Sequence, residues 1–505
     1  MPRTADRAYA DLIQRFKEYS LLGSCSNVLG WDERTYMPRE GAAHRAEQMA
    51  LLARLAHATL VAPRVARLLG EIEGSALVAD ADSAAAVNVR EIRRAHDRAV
   101  KLPKKLVEEL ARTTTRAQGV WQEARQKNDF ATFRPWLEKI VALKRQEAAA
   151  IGFDETPYDA LLDEYEPGAT TREVARVFAA LRKELTPLLG AILDSGRAPK
   201  RELLRREFPV DRQQEFGKEA AAAIGFDFDA GRLDSTTHPF CSGIGPGDCR
   251  ITTRYNPRFF NESFFGILHE AGHGIYEQGL DPARAGTPLG SAASLGIHES
   301  QSRLWENQVG RGRAFWEQFF PRARKVFPQA LTRVGFDDFL FAVNDVQRSF
   351  IRVEADEATY NLHVVLRFEL EQALVSGDLV AADVPAAWIE KFEQSFELKP
   401  PTDAQGCLQD IHWSMGGLGY FPTYTLGNLY AAQFMQRARR DMGDLDDDFR
   451  RGEFGRLKKW LNAKIHCHGQ RYRAPELCRR VTGKALSHEP LISYLRGKYA
   501  PFYGI

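Results

Sequence analysis

Nowhere does the chain carry about 20 uninterrupted apolar residues, the length a helix needs to cross a bilayer. Its opening, MPRTADRAYADLIQRF, has acidic side chains where a secretory signal would have an apolar core, so a cytoplasmic protein is expected. Cysteine is scarce: Cys25, Cys241, Cys249, Cys407, Cys467 and Cys478 are the six in 505 residues, and no two stand in C-x-x-C spacing. Free thiols are therefore expected in place of a disulfide frame or a thiolate metal site. Cys467 lies between His466 and His468, but neighbouring residues of a helix or strand point apart, which speaks against a shared ion. Neither sign of charge is in excess, the formal balance being +2, and this gives no electrostatic reason to expect nucleic acid or a membrane surface as partner. There is no internal repeat and no low-complexity tail.

What remains is the composition of a soluble globular protein, 44% hydrophobic and 27% charged, long enough for several domains or one large helical unit. From Ala5 to about Asp154 apolar residues recur three and four apart, the helical period. Pro103 predicts a helix start, with Lys104 to Gln126 continuing. LGWDERTYMP, Leu29 to Pro38, reads as a turn in which Trp31 packs and Asp32 caps, or else helps to close a cleft. Helices are expected again over Arg172 to Leu193 and Asp211 to Ile224, with KRELLRREF between them as a solvated face. Phe226 to Tyr255 has turn residues, alternation and β-branched side chains, so the few strands belong there, and Arg250 to Tyr255 is expected either as an edge strand for substrate backbone or as a plain hairpin. Phe339 to Leu374 has helical period interrupted by Arg352, Glu354, Asp356 and Glu357, which need partners or water. Ser414 to Asn428, rich in glycine and aromatics, reads as a mobile loop or a tight structural connection.

The chain is organised around Phe259 to Gly310. His269, Glu270 and His273 form H-E-x-x-H between Phe264, Phe265 and Leu268 on one side and Ile275 and Tyr276 on the other, with Asn261 as start cap and Gly279 as stop. A helix turns about 100° per residue, so side chains four apart share a face roughly 6 Å along the axis and both imidazoles can reach one ion. Glu299 follows 26 positions after His273 on a second expected helix. Two histidines and a glutamate leave a fourth position for water, whose pKa zinc lowers from 15.7 to about 7. Glu270, one place along, would take the proton and pass it on. A chance match to H-E-x-x-H would be no more than a solvated helix face; the helical context and the second carboxylate favour a zinc site.

With these residues in view the chain resembles the carboxypeptidase Taq family of zinc metallocarboxypeptidases, and the likeness runs through nearly its full length. His238-Pro239-Phe240 matches H-P-F, Asp248 to Thr252 matches D-x-R-x-T, and His298 to Arg303 fits the second metal segment. Ile351 to Asp356 matches I-R-x-x-A-D, and Gly406 to Trp413 matches G-x-x-Q-D-x-H-W. The resemblance implies a mainly α, two-lobed zincin-type fold with a deep central groove and a small sheet near the metal helix, similar to neurolysin and angiotensin-converting enzyme. Residues 1–505 would form one catalytic unit of two helical lobes. It further implies a cytoplasmic homodimer that hydrolyses the last peptide bond of peptides, with broad specificity but poorly at C-terminal proline.

On that resemblance Zn²⁺, one per chain, is held by His269, His273 and Glu299, with Co²⁺ or Mn²⁺ as alternatives. Cutting only at a C-terminus needs a cation for the free carboxylate, and the planar fork of arginine suits it. Arg352 is the favoured anchor unless Asp356, four residues on, engages it; Arg250 is a second contact or a partner of Asp248. His412 with Tyr420 or Tyr424 would stabilise the oxyanion, unless His412 is a buried structural histidine. His298 and His238 are expected to be structural or to support the ligands. The alternatives kept open are a zinc oligo-endopeptidase and a catalytically silent helical peptide-binding scaffold.

Overall fold

The computed structural model describes residues 5–505; residues 1–4, the start of the opening read above for a secretory signal, lie outside them. The chain is mainly helical and divides into two compact units, each assembled from separate stretches of sequence. Unit 1 comprises Met1–Val100, Lys200–Val343 and Phe434–Lys484, and unit 2 comprises Lys101–Pro199, Asn344–Gln433 and Ala485–Ile505.

Unit 1 is built behind the H-E-x-x-H helix, Phe260–Gly279, which is buried at twelve of its twenty positions. Phe260 and Phe264 stack nearly parallel at 5.0 Å and run into Phe216, Trp316, Phe327 and Phe339 from neighbouring helices. Each such ring removed from water contributes about 1.5–3 kcal/mol, so the back of this helix is a fixed wall. The expected cap at Asn261 is not made: the helix begins one residue earlier, and the buried Asn261 Oδ1 has no hydrogen-bond partner among the described residues.

The opposite side of the helix meets a three-stranded sheet of β1 (Gly231–Ser235), β2 (Cys241–Gly245) and β3 (Asp248–Thr253). The order is β1-β3-β2, with β1 parallel and β2 antiparallel to β3. The strands fall where expected, but the edge assignment does not hold: β3, which contains Arg250, is the central strand with both edges paired. A short hairpin to β2 takes one side, and β1 fills the other.

Where the helix Leu295–Arg303 crosses the H-E-x-x-H helix, Gly272 makes the approach feasible. A Cβ there would stand 2.6 Å from Ser302 Cα and 2.7 Å from the Gln301 carbonyl oxygen. Directly after Arg303 the helix widens into a π turn, Leu304–Val309. Such turns insert an extra residue and redirect the side chains that follow.

Elsewhere in unit 1 the expected turn at Leu29 to Pro38 is helical as far as Thr35, within Ala5–Thr35. Leu203 and Leu204 of the expected solvated stretch are buried. The run Arg39–Ile72 is long and apolar enough to cross a membrane by length and composition, yet Pro63 divides it into Ala42–Leu60 and Pro63–Ile72.

The helical period expected over Phe339 to Leu374 is broken where the chain passes from unit 1, which ends here at Val343, into unit 2. Phe336–Val343 stops, a single 3₁₀ turn at Arg352–Glu354 follows, and Tyr360–Ser376 begins only after Asp356 has accepted the backbone N–H groups of Ala358 and Thr359. The interrupting charges lie beyond that stop and find partners there: Asp356 caps the next helix and Glu357 pairs with Lys498 at 2.5 Å. The glycine-rich segment is the tight form of the two expected. Glu371 accepts from Tyr158 Oη (2.6 Å), Trp413 Nε1 (2.9 Å) and the Gly419 N–H (3.0 Å), and Gly419 takes φ +94, which disfavours any side chain. Burial pushes the Glu371 carboxyl up to about 7 despite these three donors. The next helix, Pro422–Met442, starts inside the expected loop and carries Tyr424.

Gly272→Ala forces Ser302 away from the H-E-x-x-H helix. The expected loss is about 1–3 kcal/mol of stability, read by denaturant unfolding; full stability would show that the close approach is not needed.

Candidate metal centre and its neighbours

His269 and His273 project from one face of the H-E-x-x-H helix, and Glu299 comes from Leu295–Arg303, whose start is capped by the Ser294 hydroxyl. One ligand atom from each of the three lies within 4.8 Å of the others. Glu299 Oε2 stands 3.7 Å from His269 Nε2 and 3.4 Å from His273 Nε2. Two donors bound at about 2.1 Å on a tetrahedral ion are about 3.4 Å apart, so the set fits a divalent metal of zinc's size. The imidazoles are 18% and 16% exposed, which leaves an open side for water or substrate.

The other nitrogen of each imidazole is already engaged, which directs both Nε2 atoms toward Glu299. His269 Nδ1 is 2.9 Å from Glu306 Oε2, a carboxylate that can only accept from it. His273 Nδ1 is 2.6 Å from His298 Nδ1, and His298 Nε2 is 2.8 Å from Glu277 Oε1. With His273 donating from Nδ1 and His298 from Nε2, every partner is satisfied and both ligands keep a lone pair on Nε2. Arg303 Nε donates to Glu299 Oε1 at 2.6 Å and its Nη1 reaches Glu306 at 3.3 Å. Arg311 adds a further contact to Glu306 at 3.2 Å.

These neighbours set the charges. Burial opposes ionisation of Glu299 and Glu306, but Arg303 and the histidines outweigh it and hold both carboxyls below their usual range. Burial lowers His273 to about 3. Burial also lowers His269, yet Glu299 and the bond to Glu306 prevail and its pKa is raised. Glu270, with no cation bonded to it among the described residues, is pushed by burial up to about 7.

Unit 2 holds a second cluster. Arg352, buried at 5% exposure, donates from Nε (3.1 Å) and Nη2 (2.9 Å) to Asp410 Oδ1 and from Nη1 to Tyr360 Oη at 2.7 Å. Its guanidinium carbon lies 4.9 Å from the Tyr424 ring centre and 5.5 Å from that of Phe421. Asp356 is occupied elsewhere as the cap described above. Tyr424 Oη is 3.1 Å from His412 Nε2, while Tyr420 packs edge-on against the same imidazole at 5.2 Å. Burial and the charge of Arg352 lower His412 to about 3, so it is a neutral imidazole.

A family model for carboxypeptidase Taq (M32) metallopeptidase matches residues 11–499. The chain belongs to this family. It is 49% identical to thermostable carboxypeptidase 1 of Thermus thermophilus over 99% of this chain and 100% of that protein. Identity to carboxypeptidase 1 of Bacillus subtilis is 37%, over 99% of each. A crystal structure of the M32 carboxypeptidase from Deinococcus radiodurans R1 superposes with a TM-score of 0.95 at 41% identity, covering 99% of this chain and 100% of that one. This M32 peptidase is thus a metal-dependent peptide hydrolase of the carboxypeptidase class.

In this M32 chain Arg250 is engaged by neighbours in unit 1: it forks onto Asp248 at 2.8 and 2.7 Å and stacks on Trp31 at 4.2 Å. Asp32 pairs with Arg45 at 2.6 Å, and His238 is exposed. Cys467 is exposed, and His466 is buried between Asn462 and Gln301. Sequence reasoning did not single out Arg303, Glu306, Glu277 or Asp410. For two of them a signal existed, since Glu299, Arg303 and Glu306 recur at four and three positions, one helical face.

Glu306→Gln removes the charge that raises the basicity of His269. Metal affinity, read by chelator competition, should fall about 10- to 100-fold at neutral pH. Affinity in the parent should also fall as pH drops, because His269, its pKa raised, gains a proton there and only neutral imidazole ligates; His273 stays neutral to about 3. One proton, about one decade per pH unit, is the expected slope, and the fall should begin at lower pH in Glu306→Gln; a slope of two in the parent would contradict it.

Proposed function

We propose a zinc carboxypeptidase that grips the free carboxylate of a peptide through Arg352 and releases one residue at a time from its C-terminus. The observation carrying the reading is the convergence of His269 Nε2, His273 Nε2 and Glu299 Oε2 beside the buried Glu270. Zinc, when bound by these three, polarises the scissile carbonyl and acidifies water; Co²⁺ or Mn²⁺ would serve in the same place. Glu270, buried next to the ligands, is placed to take a proton from the attacking water and return it to the departing amine. Arg303 and Glu306 hold the ligands in register, and His298 fixes the orientation of His273.

For the carboxylate anchor, Arg352 has five N–H groups, of which three are engaged by Asp410 and Tyr360. One N–H each remains on Nη1 and Nη2 for a carboxylate. Arg250 has its fork on Asp248, so it is the weaker candidate. With His412 donating its Nε2–H to Tyr424 Oη, Tyr424 can turn its own O–H toward an oxyanion and is the better candidate, with Tyr420 packing on the same imidazole. Broad choice of terminal residue, poor release of proline, a cytoplasmic setting and one catalytic unit spanning 1–505 in a neurolysin-like fold rest on the family resemblance.

A homodimer is part of the reading. In unit 1 the helices Ala5–Thr35 and Ala42–Leu60 leave Leu21, Leu51 and Leu55 at 64%, 45% and 44% exposure, and the second helix buries only Leu60. Exposed leucines along a helical pair suit a second copy of the chain.

Glu270→Gln should retain metal and lose about 10²–10⁴ in kcat. Amidating a peptide's C-terminus should abolish most of its turnover, and mass spectrometry of a peptide mixture should show a one-residue ladder; internal fragments, or indifference to amidation, would instead mean an endopeptidase. Leu51→Glu with Leu55→Glu should yield monomers by sedimentation velocity, and an unchanged dimer would place the interface elsewhere.

A further inference from the structure

Within unit 2, one carboxylate is shared by two guanidiniums. Asp410 Oδ1 accepts from Nε and Nη2 of Arg352, while its Oδ2 accepts from Arg367 Nε at 2.6 Å. Arg367 is fully buried. It is tied to its own helix by Nη1, which donates to the His363 carbonyl at 2.7 Å, and its plane lies 4.6 Å from the Trp388 ring centre. Its Nη2 has no hydrogen-bond partner among the described residues.

The charges around this trio are accounted for. Glu371, one turn along from Arg367, spends its oxygens on Tyr158, Trp413 and Gly419. His363 and His412 are both held neutral by burial next to the two arginines. Within the trio two cations share one anion, and Glu371, pushed by burial up to about 7, adds only part of a negative charge near neutral pH. Isolated, an Arg352–Asp410 pair would be neutral and would have little pull on a third group; the second guanidinium restores the pull.

We propose that Asp410 is a positioning residue for the substrate's terminal carboxylate: braced by Arg367, it fastens one edge of Arg352 and so presents the Nη1/Nη2 edge. Arg367 offsets the negative charge of Asp410, so that the Arg352 guanidinium keeps its pull on an incoming carboxylate. The inference rests on the reading of Arg352 as anchor. A guanidinium free to rotate about its last torsion would meet the carboxylate with one N–H as often as with two. Held from the Nε side it offers a bidentate contact, and displacement of that contact by about 1 Å is enough to cost about a hundredfold.

The test compares a peptide with its C-terminally amidated form on Asp410→Asn enzyme loaded with metal. Expected is a rise in KM of about 10- to 100-fold for the free-carboxylate peptide, kcat within about threefold, and unchanged kinetics on the amidated peptide. Metal content should stay at that of the parent. On an Arg352→Gln background Asp410→Asn should add less than about twofold. A merely structural Asp410 would instead impair both peptides alike, and that result, or an unmoved KM, overturns the inference. Should Asp410→Asn not fold, Asp410→Glu keeps the charge and shifts Arg352 by a methylene; it is expected to lower the ratio of free to amidated turnover, and an unchanged ratio overturns the inference equally. If Arg352→Gln itself leaves KM untouched, it is the anchor reading that falls.

Discussion

The metal centre depends on two helices coming closer than side chains ordinarily allow. Gly272 is the residue between Ala271 and His273, so the point of nearest approach is also the point from which the second imidazole departs. Only this proximity lets Glu299 reach both Nε2 atoms from a separate helix. The contact also buries Glu299, and a buried carboxylate is expensive unless it is paired. Arg303, one turn further along, answers that need and at the same time ties in Glu306, which orients His269. A steric fact at one glycine thus generates a charge problem, and the charge problem is solved by the groups that aim the ligands.

How far the sequence discloses this varies with the physics involved. H-E-x-x-H and its apolar flanks are legible because one helical period fixes the face, and Glu299 is legible once a second helix is granted. Glu306 is harder: the π turn beginning at Leu304 redirects the chain, so simple 3.6-residue counting gives its face only roughly. Asp410 could not be found by spacing, because its partners Arg352 and Arg367 stand 58 and 43 residues away and nothing local links them. The same holds for the sheet. Alternation located the strands, but the central position of β3 follows from a parallel partner, β1, that pattern alone does not assign. The charges inside Phe339 to Leu374 interrupt a helical period and need partners or water. The first helix has already stopped at Val343, and Asp356 acts on the far side of the break, where it accepts backbone N–H groups and caps the next helix.

The two clusters use one device with the signs reversed. In unit 1 a bidentate anion, Glu299, has Oε1 occupied by Arg303, leaving Oε2 directed at the histidines. In unit 2 a bidentate cation, Arg352, has its Nε edge occupied by Asp410 and one Nη1 hydrogen by Tyr360, leaving one N–H each on Nη1 and Nη2. Pairing half of a planar group removes its rotational freedom and keeps the remaining half for a ligand, so less ordering remains to be done on binding. The arrangement also explains why both are buried. In water a competing solvent molecule would satisfy the unused half, whereas in a low-dielectric setting an unfilled donor or acceptor is costly and the arriving ion relieves that cost. Discrimination then follows from the kind of partner each half lacks: Glu299 and the imidazoles, all offering lone pairs, call for a cation, and Arg352, offering only hydrogens, calls for an anion with two oxygens in a plane. On the proposed role of Arg352 as anchor, a peptide's free end has such an anion and an internal peptide bond does not, which would give a physical basis for cutting at the terminus.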